Sequence, residues 1–262
     1  MNLTLLEKYN VSVEGNLNAM QTIVFANGFG TDQTAWKAVK EAFEDNYRMV
    51  LFDYAGSGKT DPAIYSPVKY NTLKSYADDM LSIFSELQLE DAILVAHSVS
   101  SMIGLLATIK SEHHLSKLVF IGASPRYLND QVSHYSGGFT SEILNNMYET
   151  MTGNYYAWAS GFSAAAMRNE DHPELGQYFA NTLMEIRPDI ALSVAKVIFE
   201  SDVREALAKL DKPTLLLQTK EDIAVPYTVA TYLKAHIKRS QLIVLDAEGH
   251  FPHISAAGQV IS

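Results

Sequence analysis

Six short apolar runs recur along this chain and limit what it can fold into: Ile23–Ala26, Met49–Phe52, Ile93–Ala96, Leu118–Ile121, Leu215–Gln218 and Ile243–Leu245. Each is too short for a helix, and the β-branched residues among them favour strands buried on both faces. Helical patterns separate most of the runs, as with Tyr76, Met80, Ile83, Phe84 and Leu87. Strands that alternate with helices assemble into a mainly parallel central sheet with helices on both faces, an α/β fold. The opening stretch, Leu3 to Val13, is expected to add an antiparallel hairpin partner. At 262 residues the chain is long enough for one such domain.

The alternation breaks between about Pro125 and Pro188. No good strand lies there, but three helical patterns do: Ile143, Leu144, Met147 and Met151; Tyr155, Trp158, Ala159 and Phe162; Leu175, Tyr178, Phe179 and Leu183. A structureless loop of that length is rare in a compact domain. The segment is therefore expected to be a helical cap, residues 125–189, inserted into a core of residues 1–124 and 190–262. Part of its aromatic surface should face the core and roof an apolar pocket.

Ser98 stands between the run ending at Ala96 and a helical pattern from Met102 to Ile109. A serine on a sharp strand-to-helix turn exposes its hydroxyl above the sheet, and small residues must stand two before and two after it. Here they are Ala96 and Ser100, where glycine is usual. A serine becomes a nucleophile only when a histidine takes its proton and an acid orients that histidine. In α/β-hydrolases the three follow in the order serine, acid, histidine. Asp222 follows the strand at Thr214–Thr219, and His250 follows the strand at Leu242–Leu245, so order and setting both agree. The loop Asn27-Gly28-Phe29-Gly30 after the first core strand can bend back to aim the Phe29 amide at the reacting carbon. Val99, at a helix N-terminus, would supply the second amide of an oxyanion hole.

Other chemistries are poorly supported. Net charge is −10 and only 19% of residues are charged, which opposes a role on nucleic acid or an anionic membrane. No run approaches a membrane span, and the first residues lack a secretory pattern, so a cytoplasmic location is expected. Without cysteine there is no disulfide framework or thiol nucleophile. Gly56-Ser57-Gly58-Lys59-Thr60 imitates a phosphate-binding loop, but Asp53 occupies the position that needs glycine. His250 and His253 lack the further ligands of a metal site, and His113-His114 is expected on a solvated helix end. No metal or cofactor is implied.

Longer stretches carry a specific resemblance: Asn27-Gly28-Phe29-Gly30-Thr31-Asp32-Gln33, Phe52-Asp53-Tyr54-Ala55-Gly56-Ser57-Gly58, His97-Ser98-Val99, Ser124-Pro125-Arg126-Tyr127-Leu128-Asn129-Asp130, Gly137-Gly138-Phe139, Ser201-Asp202-Val203-Arg204-Glu205 and Gly249-His250-Phe251-Pro252-His253. Over nearly its whole length the chain resembles the RsbQ group of α/β-hydrolases, bacterial stress-signalling hydrolases related to the plant karrikin and strigolactone receptors. The resemblance implies a four-helix, V-shaped cap and the same assignment of Ser98, Asp222 and His250. It places Phe29, Phe139, Trp158, Phe162 and Phe199 along an apolar cavity. It also implies slow hydrolysis and, in the bacterial case, a PAS-containing phosphatase as partner. Two departures stand out. Ala96 and Ser100 are expected to crowd the turn, and the short C-terminal pattern from Ser255 is expected to leave apolar surface for another element or subunit.

The combined expectation is a serine hydrolase of a small apolar ester or lactone. The alternative is a ligand sensor that regulates a partner protein.

Overall fold

The computed structural model describes residues 3–262. Seven strands form one sheet: β1 (Ser12–Gly15), β2 (Thr22–Ala26), β3 (Arg48–Phe52), β4 (Ala92–His97), β5 (Leu115–Ile121), β6 (Thr214–Glu221) and β7 (Ser240–Glu248). Their spatial order is β1-β3-β2-β4-β5-β6-β7. Every neighbouring pair is parallel except β1 with β3. All six apolar runs therefore lie in strands. The opening stretch differs from expectation. Leu5–Lys8 is a helical turn capped by Thr4 and Glu7, and only its end enters the sheet, where Ser12 pairs with Leu51 of β3 rather than with the next strand.

Alternate residues feed two core layers, as the two-residue period of a strand requires. Ile23 and Phe25 of β2 join Met49 and Leu51 of β3 and Trp36 on one face. Val24, Ala26, Val50 and Phe52 join the larger layer on the other. The two edge strands are the exception to burial: β1 has no fully buried residue, and β7 leaves Ile243 and Val244 about two-fifths exposed.

Seven helices of eight residues or more follow: α1 (Leu73–Glu86), α2 (Val99–Lys110), α3 (Ser141–Gly153), α4 (Tyr155–Met167), α5 (Pro173–Glu185), α6 (Pro188–Phe199) and α7 (Tyr227–His236). Helices α3 to α6 are the inserted cap, with α4 packed on α5, and α3 on both α4 and α6. The expected boundary at residue 189 falls inside α6, so the helical insert runs on to Phe199. The loop leading into the cap is pinned by charge. Arg204 donates to Asp130 (2.8 Å) and Asp202 (2.7 Å), and Arg126 also pairs with Asp202.

Two sequence decoys are explained by packing. Asp53 is fully buried and accepts from Asn10 Nδ2 (2.7 Å), Gln33 N (2.8 Å) and Lys59 N (3.1 Å). Its carboxylate thus fills the centre of the loop that resembles a phosphate cradle. His114, expected in solvent, is instead buried, its ring Nδ1 at 2.6 Å from the Leu89 carbonyl. Among the described residues, no cluster of His, Asp or Glu could hold a metal ion, and no helix is long and apolar enough to cross a membrane.

Candidate active site

Ser98, Asp222 and His250 each follow the carboxyl end of a parallel strand, so the sheet delivers all three to one edge. Ser98 sits between β4 and α2 with φ 56° and ψ −125°. That backbone region suits glycine, and a serine held there costs about 1–3 kcal/mol. The surroundings fix it: Ser98 N donates to the Ile121 carbonyl (2.8 Å), and Ser101 donates its amide to the Ser98 carbonyl (3.0 Å) and its hydroxyl to the Ala96 carbonyl (3.1 Å). The strained turn points the side chain away from the helix cap role.

The hydroxyl is met by the expected partners. His250 Nε2 lies 2.8 Å from Ser98 Oγ, and His250 Nδ1 lies 2.7 Å from Asp222 Oδ2. With Asp222 ionised, Nδ1–H donates to the carboxylate and Nε2 accepts the serine proton. Asp222 is itself held by the amides of Ala224 (2.8 Å) and Val225 (3.1 Å) on Oδ1. Ser98 and His250 are buried, so these contacts are shielded from water. The Cβ atoms of Ala96 and Ser100 do not keep Ser98 from its base. Ser100 is fully buried, and its hydroxyl donates to the Asn27 carbonyl, which ties the turn to the neighbouring glycine loop.

That loop lies close against the nucleophile. A side chain at Gly28 would come within 3.1 Å of Ser98 Cβ and would collide with the His97 ring. Phe29 N makes no hydrogen bond among the described residues, and Val99 opens helix α2, where amides have no partner within the helix. Both donors are free for an oxyanion.

The base is supported from behind and from above. His97 is fully buried, and its ring Nε2 lies 2.8 Å from the His250 carbonyl. Burial, and the neighbouring His253 and His250, hold its pKa well below the ordinary value, so it is neutral and donates Nε2–H. His253 is sandwiched between Trp36 (ring centroids 4.5 Å) and His97 (4.3 Å). From the cap, the Ala166 carbonyl at the end of α4 accepts from His250 N (2.8 Å).

The expected pocket residues fall into three places. Phe29 lines an apolar cleft with Val99. Phe139 and Phe199 pack on each other (5.3 Å) and on Tyr127. Trp158 stacks on Phe162 (5.1 Å), whose ring meets Phe179, itself packed on Phe251 beside the His250 ring. Tyr127 is the residue that sequence reasoning did not single out, although it lies in a quoted motif. Its hydroxyl stands 3.4 Å from Ser98 Oγ, and burial pushes its pKa up, so it remains a neutral phenol.

A strand, a strained serine, a histidine and an aspartate in this order are what one family of folds shares, and its model, described as the alpha/beta hydrolase fold, matches residues 21–257. The chain belongs to the α/β hydrolases. This hydrolase is 42% identical over 256 residues to Karrikin insensitive 2 receptor CA of Petunia hybrida, across 97% of this chain and 93% of that one. It is 41% identical over 257 residues to Strigolactone esterase RMS3 of Pisum sativum, across 98% and 95%. A solved hydrolase from Oleispira antarctica superposes with a TM-score of 0.93 at 30% identity, over 98% of this chain and 93% of that one.

Proposed function

We propose that this α/β hydrolase is a serine esterase that cleaves a small, largely apolar ester or lactone through Ser98, His250 and Asp222. The observation that carries the reading is the continuous Asp222–His250–Ser98 hydrogen-bond chain, 2.7 and 2.8 Å, on a strained turn. The relative named as a strigolactone esterase supports a lactone within that class.

In this mechanism Ser98 Oγ attacks the carbonyl carbon while His250 Nε2 takes its proton. Asp222 stabilises the imidazolium, and the Phe29 and Val99 amides hold the oxyanion, where each donor is worth roughly 3–4 kcal/mol. His250 then returns the proton to the departing alkoxide, which in a lactone remains tethered to the acyl group. Water, deprotonated by the same histidine, releases the acid and restores Ser98.

Hydrolysis of p-nitrophenyl acetate tests the reading. Ser98→Ala and His250→Ala should each lower kcat by about 10⁴-fold or more, and the double variant should be hardly worse, because such residues act as a unit. Asp222→Asn should cost less than the loss of Ser98. Undiminished turnover by Ser98→Ala would overturn the proposal.

A second reading, from the RsbQ resemblance, makes the same pocket a ligand sensor with hydrolysis secondary and a PAS-containing phosphatase or another signalling protein as partner. The observation that favours it is the hydrogen bond from the His250 amide to the Ala166 carbonyl, which links the base directly to the cap. A relative named as a receptor supports it as well.

A further inference from the structure

Helix α4 of the cap ends on the two loops that carry the acid and the base. Its Ala166 carbonyl accepts from His250 N (2.8 Å), and its Met167 carbonyl lies so close to Gly249 that a side chain there would collide with it. Gly249 N in turn donates to the Glu221 carbonyl (2.7 Å), and the Thr219 hydroxyl donates to the Gly249 carbonyl (2.7 Å). Three segments therefore meet at one point: the end of α4, the end of β6 just before Asp222, and the end of β7 just before Gly249 and His250.

Like charges face each other at this junction. Glu221 and Glu248 are partners at the last register position of the β6–β7 pair, beyond an irregularity in the ladder. Like charges opposite each other on neighbouring strands push the strands apart. Arg168, the first residue past α4, bridges them: its Nε donates to Glu248 Oε2 (2.8 Å) and its Nη2 donates to Glu221. Lys220, the other lysine or arginine along this groove, is taken by Asp246. Among the described residues, Arg168 is thus the only cation paired with either carboxylate.

The backbone of Arg168 adds an independent indication. With φ 49° and ψ 49° it holds the left-handed conformation that glycine usually supplies at a helix end. A side chain sits there against that preference, and this one spans two carboxylates.

We propose that Arg168 is a positioning residue for the triad: by bridging Glu221 and Glu248 it holds the loop of the acid against the loop of the base and keeps Asp222 aligned on His250. The inference rests on Ser98, His250 and Asp222 being the catalytic residues. Arg168 makes no hydrogen bond to any of the three and acts through the two loops. Catalytic groups lose rate when they are displaced even slightly. The bridging side chains are about half exposed, and exposed ion pairs are weak, so loss of the bridge should cost about three- to tenfold in rate rather than orders of magnitude.

The test is steady-state hydrolysis of p-nitrophenyl acetate by the full chain. Arg168→Gln should lower kcat about three- to tenfold and leave KM within about twofold, because acylation and deacylation use the same base and slow together. Arg168→Gly, which suits the backbone at the helix end, should be about as slow, and Arg168→Lys, which keeps the charge, should be faster than either. In a background carrying Glu221→Gln and Glu248→Gln, Arg168→Gln should cost less than about twofold, since no repulsion is left to oppose. In 1 M NaCl, where screening acts within about 3 Å, the gap between the parent and Arg168→Gln should likewise narrow. A parent-like kcat in both Arg168→Gln and Arg168→Gly would overturn the proposal. So would an equal loss in the neutralised background, which would mark a contribution to packing alone. Failure of the underlying reading is separately visible, because Ser98→Ala would then still hydrolyse the acetate.

Discussion

Ser100 does more at the nucleophile turn than its small size requires. A residue larger than glycine two positions after the nucleophile is expected to crowd the turn, yet His250 still reaches Ser98 at 2.8 Å. The reason lies in the hydroxyl, which donates to the Asn27 carbonyl and so couples helix α2 to the loop that carries the Phe29 amide. Ser100→Gly removes that donor from a buried carbonyl, a loss of about 1–3 kcal/mol, and places a flexible residue in the first turn of a helix, about 1 kcal/mol more. The variant should therefore melt several degrees lower and hydrolyse p-nitrophenyl acetate more slowly, since the oxyanion loop loses its tether. Calorimetry and steady-state kinetics on the two proteins check both points, and a faster Ser100→Gly would show that crowding prevails. Ala96 needs no such account: its methyl group is buried in the sheet and makes room for the Ser101 hydroxyl on its carbonyl.

Strands were the most legible elements, because a run buried on both faces leaves an unbroken apolar signature. The same signature misled at β7, where Ile243 and Val244 look like core residues but sit on an edge strand. Triad positions were legible because each is tied to a strand end, which sequence can locate. The cap was legible as a break in the alternation, but its end was not. Pro188 reads as a terminator, yet proline fits the first turn of a helix, where its missing N–H has no partner to lose, and α6 begins there. Pocket residues were the least legible. Trp158 and Phe162 share a helix face as their spacing implies, and the rings of Phe179 and Phe251 that connect that face to His250 come from distant parts of the chain.

Taken whole, the molecule keeps two neutral imidazoles behind its base. His253 is pushed down to about 3 by burial and by the nearby His250, and His97 is likewise held well below its ordinary value. In the unfolded chain both titrate near 6.5. Between that pH and about 3 the unfolded state binds protons that the folded state refuses, so stability is complete above 6.5 and is lost as pH falls. Each histidine contributes a slope of up to about 1.4 kcal/mol per pH unit in that window. Denaturant unfolding at pH 7.5, 6 and 5 should show this fall before the bulk of the carboxylates titrate. His253→Phe should make the dependence shallower, and an equally steep one would contradict the assignment.

The central claim, that this fold activates one serine, is tested most directly by reaction with a fluorophosphonate followed by peptide mass spectrometry. Phosphonylation requires the nucleophile, its base and the oxyanion donors together, and it needs no knowledge of the natural substrate. The account predicts a single adduct, on Ser98, formed at least a hundredfold more slowly in His250→Ala. An adduct on another residue, or labelling of His250→Ala at the parent rate, would contradict it.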